Sequence, residues 1–336
     1  MSLLTQFGGG SSTPIQGAAV LPVWDSAFAR QYPGATVVAP ALAPWLLKPA
    51  GSANGYACGG VGPKLVLLAS NSTQALSSSD GQTFTPRTLP VAGNWAGRVA
   101  YGNGVYVAVG YGSAIAVSSS DGDNWSQRAL PVSANWASCC FGAGLFLSTA
   151  IASAGYATSP DGVNWTSRTL PASGSFAACC YGLGLFFVFA AGSSSYYTSV
   201  DGLGGWVSRS LPVGGNWEPH AALQANGRLL LLGNSSNVLL SSLDGISWSQ
   251  HLLPSLPNGQ YWRAVHYQAG GYVAVASGGN TAITSPDLQN WTVRSLPFNG
   301  GALVLPLNGN WLVASAGTPQ VALSNASAFD IVYPQR

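Results

Sequence analysis

Charge is what this 336-residue chain has least of: Asp, Glu, Lys and Arg make up 7% of it, against roughly 25% in an average soluble domain. Lys48 and Lys64 are its only lysines, and Glu218 is its only glutamate. With a net charge of +2 and no basic run, nothing answers the electrostatics of nucleic acid or of an acidic membrane. Long apolar runs are missing too. Gly, Ser, Asn and Pro interrupt each one before the roughly 20 residues that a spanning helix needs, so membrane insertion is not expected. Residues 1–16, MSLLTQFGGGSSTPIQ, carry no basic residue, the first being Arg30, so no secretory leader is expected there.

Cysteine and histidine are also sparse. Cys58, Cys139, Cys140, Cys179 and Cys180 are an odd number, and the two vicinal pairs recur 40 residues apart. Neighbouring strand residues face opposite sides, so these thiols are expected to act as small apolar packing. Metal binding would want C-x-x-C spacing and partner histidines; neither is present among three histidines in all. G-x-S-x-G, phosphate-loop and H-E-x-x-H motifs are absent. No cofactor is implied.

What the chain has in abundance is repetition. SSSDGQTF, SSSDGDNW, TSPDGVNW, TSVDGLGGW, SSLDGISW and TSPDLQNW place Asp80, Asp121, Asp161, Asp201, Asp244 and Asp287 at steps of 41, 40, 40, 43 and 43. The aromatic position holds Phe84, Trp125, Trp165, Trp206, Trp248 and Trp291, and each copy runs on into a second phrase such as SQRALP or TSRTLP. The following unit opens on Trp95, Trp136, Phe176, Trp217 or Trp262. Between that aromatic and the next Asp lie short apolar runs split by Gly-rich turns, as in GNGVYVAVGYGSAIAVSSSDG, a strand pattern. One unit reads as four short strands. Residues 56–90 fit as a first unit opening on Tyr56, and LNGNWLVASAGTPQVALSNASAFDIVYP as a seventh, with Ala326 at the Asp position and Phe329 at the Trp. Four-stranded units of this length point to an all-β, seven-bladed β-propeller over residues 51–336.

The phrase resembles the Asp-box, or BNR, repeat of sialidase-like propellers. There Gly stands two residues after Asp, whereas here it follows directly, giving S-x-D-G-x-x-W, a variant similar to repeat arrays of bacteriophage tail and fibre proteins. Physically the phrase is a hairpin turn: Asp accepts from turn amides and Gly supplies positive φ. The Trp is expected in the apolar seam, where losing it should cost about 3–5 kcal/mol, against about 1 for the Asp.

Residues found in every unit are explained by the fold, so function is sought where the repeat breaks. Arg87, Arg128, Arg168, Arg209 and Arg294, with His251 in one copy, occupy one repeated position and are expected to be outer-strand residues with exposed heads. Near the start of the first strand, where most units have Ala, Ser or Cys, stand Arg98, Glu218, His220, Arg263 and His266. Innermost strands surround a propeller's channel, so these five are the candidate ligand-binding residues. A sialidase resemblance would imply an arginine triad, a Tyr nucleophile helped by Glu, and an Asp acid/base. Six of nine aspartates are box residues, leaving Asp25, Asp123 and Asp330, which speaks against that chemistry.

Residues 1–50 lie outside the repeat and are expected to be an extended docking arm, with an apolar tip and the Gly-rich joint FGGGSSTP. The resemblance implies a non-enzymatic virion protein, a tail fibre, tail tip or baseplate component. Its partners would be other virion proteins through the arm and a host-surface receptor, a glycan, through the propeller, with several copies per assembly. A glycoside hydrolase and a secreted lectin are the alternative readings on the same scaffold.

Overall fold

The structure, a computed structural model, describes residues 36–38, 46–49, 55–307 except 235, 258 and 269, and then 310–315, 320–324 and 330–332. The chain folds as an all-β propeller whose described regular elements are all strands. Among the described residues, no helix is long and apolar enough to cross a membrane.

Antiparallel ladders follow chain order. Tyr56–Val61, Leu65–Ala69, Ser72–Ser78 and Thr85–Gly93 make one four-stranded sheet; Tyr261–Gln268, Gly271–Ser277, Thr281–Ser285 and Thr292–Ser295 make another. Between them lie sheets of six and seven strands. These are larger because single strands run on from one repeat into the next. Ser126–Gly142 pairs with Val105–Ser119 through residues 126–135 and with Leu145–Ile151 through residues 135–142. Val207–Ala225 bridges Ser193–Ser199 and Arg228–Asn234 in the same way.

The last sheet departs from the sequence expectation. Its outermost strand is Leu46–Pro49, paired with Gln320–Ser324 beside Asn310–Ser315 and Gly301–Leu307. Thr36–Val38 likewise pairs with Asp330–Val332. Two short stretches of the segment assigned to a free arm therefore join the C-terminal strands. A strand brought from the far end of the chain covers the backbone edge that a terminal unit would leave unpaired. Residues 1–35, with the apolar tip and the joint, and Ala326 and Phe329 lie outside the described residues.

The box phrase is a turn held by its own side chains. Asp121 Oδ1 accepts from the backbone N–H of Asp123 and of Asn124, both at 2.8 Å, and from Ser119 Oγ–H at 3.0 Å. Ser119 Oγ in turn accepts from the Gly122 N–H at 2.9 Å, and Asn124 Nδ2 donates to Asp121 Oδ2 at 2.8 Å. Gly122 sits at φ +75°, and a Cβ there would come within 3.0 Å of Val66. Asp80, Asp161, Asp201, Asp244 and Asp287 repeat the pattern. Turn amides and serine hydroxyls hold all six carboxyls below the ordinary range, Asp80 at about 2.

This sets a pH dependence. A carboxyl whose folded pKa is depressed stabilises the fold fully above its unfolded value and loses that contribution as pH falls through the folded one. Thermal stability is expected to decline from about pH 4 to about pH 2 and onward, with Asp244→Asn giving a flatter profile in that window. An unchanged slope in melts of the variant would contradict the turn's role.

The core lies between neighbouring repeats. Trp136, Cys139, Phe146 and Ala157 of one repeat pack on Val107, Val109, Ala116 and Leu130 of the preceding one. The aromatics that open the units, Tyr56, Trp95, Trp136, Phe176, Trp217 and Trp262, are all at most 2% exposed. Of the box tryptophans, Trp125 is buried, and Trp165, Trp206, Trp248 and Trp291 are half-buried against the same inter-repeat clusters. Both aromatics of a unit therefore belong to the seam, the opening one the more deeply sealed, and the larger packing cost is expected there.

Candidate functional site

First strands lose register just after their aromatic. Pairing skips from Trp262 to Ala264, from Ala96 to Ala100 and from Trp217 to Ala222. Arg263, Arg98, Glu218 and His220 all fall in these intervals. A bulge leaves its extra residues unpaired; the same skip follows Tyr56 and Phe176, so the non-repeated polar residues stand at a repeated irregularity. Gly97 allows the longer skip beside Arg98: its φ is +68°, and a Cβ would meet the Ala137 carbonyl oxygen at 2.7 Å. His266 lies further along, paired in register with Val273.

Two of the five candidates, Arg98 and His266, lie within electrostatic range of each other. Burial lowers the Arg98 guanidinium to about 10. Burial first, and then the Arg98 charge, depress His266 to about 3, so its imidazole is neutral at ordinary pH. His266 Nδ1 accepts from the Tyr267 N–H at 2.9 Å, and its ring meets Trp311 edge-on with centroids 6.4 Å apart. Arg263 Nη1 donates to the Tyr261 hydroxyl at 3.2 Å. Glu218 and His220 are on a described strand, but their side chains lie outside the described residues.

Four of the five thiols are buried. Burial pushes Cys58 up to about 12 and raises Cys139 and Cys180 as well. They stay protonated, as small packing groups do. Among the described residues no group of three or more His, Cys, Asp or Glu could hold a metal ion.

A second polar cluster was not singled out from sequence. Asp123 lies in the box turn of one repeat and reaches back to the preceding one. Its Oδ1 accepts from Arg87 Nε at 3.0 Å and Ser77 Oγ at 2.7 Å, and its Oδ2 pairs with the Lys64 ammonium. Lys64 is one of two lysines and Asp123 one of three aspartates outside the box, and that rarity was the available signal.

Arg87 and its equivalents Arg128, Arg168 and Arg209 sit on outer strands as expected, and the structure adds an anchor at the inner edge of each guanidinium. Each is half-buried, and Nε donates to a hydroxyl on the adjacent strand: Arg87 to Ser77 (3.0 Å), Arg128 to Ser118 (2.8 Å), Arg168 to Thr158 (2.8 Å) and Arg209 to Thr198 (3.0 Å). His251 Nε2 stands 2.9 Å from Ser241 Oγ. The repeat therefore fixes the inner edge of the guanidinium.

No family model matches the chain, and no curated protein matches it. Solved structures do. YCF48 bound to D1 peptide is 17% identical, with a TM-score of 0.64 over 87% of this chain and 98% of that one. Streptogramin B lyase is 12% identical, with a TM-score of 0.70 over 84% and 97%. A catalytically inactive virginiamycin B lyase from Staphylococcus aureus, with quinupristin, is 10% identical, with a TM-score of 0.72 over 83% and 99%. At these identities the likeness is one of fold.

Proposed function

We propose that this chain is a non-enzymatic binding propeller of a bacteriophage virion, a tail fibre, tail tip or baseplate component that meets a glycan on the host surface. Seven four-stranded units are the count in this reading. Six box turns support it, together with the sheet that Leu46–Pro49 completes.

The observation that carries the binding reading is the commitment of the carboxylates. The seven described Asp side chains are all engaged: six are held by turn amides and Asp123 by Lys64, Arg87 and Ser77. Each is depressed below the ordinary carboxyl range, whereas a glycosidase needs one raised to serve as acid. The virion reading rests on the S-x-D-G-x-x-W variant. YCF48, bound to D1 peptide, is a precedent in kind for a propeller that holds a partner.

The chain is expected to adsorb to cells of the host strain of the phage that carries its gene, and to compete with that phage for adsorption. Absence of both would end the receptor reading, and turnover of chromogenic glycosides would replace it with the hydrolase. Deleting residues 1–35 is expected to abolish incorporation into particles while the propeller still folds.

A further inference from the structure

The Arg87 niche is occupied by the chain's own carboxylate; the three niches that follow it are not. The position of Asp123 in its box turn is held by Val163, Leu203 and Ile246 in the next three repeats, and all three side chains are exposed. Arg168 Nη1 reaches the Leu203 carbonyl at a long 3.4 Å, the same meeting of outer strand and following box turn that Arg87 makes with Asp123. Among the described residues, Arg128, Arg168 and Arg209 form no ion pair. The box carboxylates beside them are spent on the turn: Asp201 Oδ1 accepts from the Leu203 and Gly204 amides at 2.8 and 3.3 Å.

Each guanidinium is held through Nε by a buried hydroxyl, which orders it; among the described residues the Nη groups of Arg128 and Arg209 have no hydrogen-bond partner, and Arg168 Nη1 has only the Leu203 carbonyl. A guanidinium ordered in this way matches a carboxylate with two parallel bonds. The exposed Val, Leu or Ile alongside offers an apolar surface of the size of a sugar's C–H face. The row is three consecutive repeats long, bounded by Asp123 at one end and by His251 at the other.

We infer that Arg128, Arg168 and Arg209 form a row of carboxylate-binding positions for an acidic polysaccharide that carries a carboxylate on its repeating sugars. This rests on the glycan-binding reading above and moves its contact surface from the channel to the rim, where outer strands meet the following box turns. A polyuronate sets a sugar C–H face beside each acid, the pairing that an arginine next to exposed Val163, Leu203 or Ile246 offers and that the flexible acids of polyglutamate lack.

The test is titration of the full chain with polygalacturonate and alginate at low and raised salt. Fully methyl-esterified polygalacturonate and polyglutamate serve as comparisons. Wild type is expected to bind both polyuronates, more weakly as salt rises, and to bind neither comparison polymer. A single exposed pair changes affinity by up to about five-fold, and linked contacts multiply, so Arg128→Gln, Arg168→Gln and Arg209→Gln together are expected to weaken binding by about 10- to 100-fold.

Arg87→Gln removes the same charge from a niche that is already filled and is expected to leave affinity unchanged. Equal loss from Arg87→Gln and Arg168→Gln would mean general electrostatics and overturn the inference. Equal binding of polyglutamate would overturn it in favour of an acidic peptide. Should the triple variant fail to fold, the Arg168→Gln and Arg209→Gln single variants carry the same comparison. Host adsorption that survives loss of the three arginines overturns this inference and leaves the broader reading standing, whereas no adsorption by wild type overturns the broader reading itself.

Discussion

Trp136→Ala is expected to lower the free energy of unfolding by about 3–5 kcal/mol, the range for removing a fully buried large aromatic. Trp136 is 1% exposed and packs between two repeats, against Val107, Val109 and Leu130 on one side and Phe146 and Ala157 on the other. Its indole N–H donates to the Val132 carbonyl at 3.2 Å. Truncation would leave a cavity in a seam and an acceptor without its donor, and backbone on both sides limits collapse. Trp165, half-buried in the same repeat, is expected to cost clearly less. Urea unfolding of the two alanine variants checks the order, and equal costs would contradict the deeper sealing of the opening aromatic.

Gly142→Ala is the second large effect, about 1–3 kcal/mol as an overpacking change. A Cβ at Gly142 would stand 1.9 Å from Cγ of Tyr181, which belongs to the next repeat. Gly102 receives Phe141 in the same manner, with a closest approach of 2.1 Å. Each ring lies on the backbone of the preceding first strand and also packs within its own repeat, Tyr181 on Phe186 with centroids 4.9 Å apart and Phe141 on Phe146 at 4.7 Å. The ring cannot move off the glycine without giving up that second contact.

Gly204→Ala is the control, since nothing lies within 4 Å of a Cβ there and its φ is not positive. It is expected to be near neutral. Combining Gly142→Ala with Tyr181→Ala should cost less than the sum of the two, because the clash disappears with the ring. Strict additivity would show that the ring and the glycine do not meet.

These two effects mark the border between what is readable locally and what is not. The Asp, the Gly and the strand-turn-strand pattern of each box were legible because the bonds that hold the turn run between residues two or three apart. The same phrase placed its Trp in the seam but could not rank its burial against that of the opening aromatic. Trp165 and Trp136 are both tryptophans in regular repeat positions, and only the neighbouring repeat decides which one is the more deeply sealed. Of the candidate site, the departures from the repeat at Arg98 and His266 were visible as departures. Their electrostatic proximity was not, because it joins strands 168 residues apart in number.

By itself the sequence determined an all-β repeat protein, the chemistry of its turns, and the shortage of charge that makes each remaining ion pair informative. Periodic patterning and turn residues act over a few positions, so they are written in order along the chain. The tertiary structure alone decided that Leu46–Pro49 completes the last sheet, that Asp123 fills the niche of Arg87 from the next repeat, and that Arg128, Arg168 and Arg209 form no such ion pair among the described residues. Each of these depends on contacts between segments about 40 or more residues apart, whose partners are chosen by how whole sheets stack and not by any preference of the local chain.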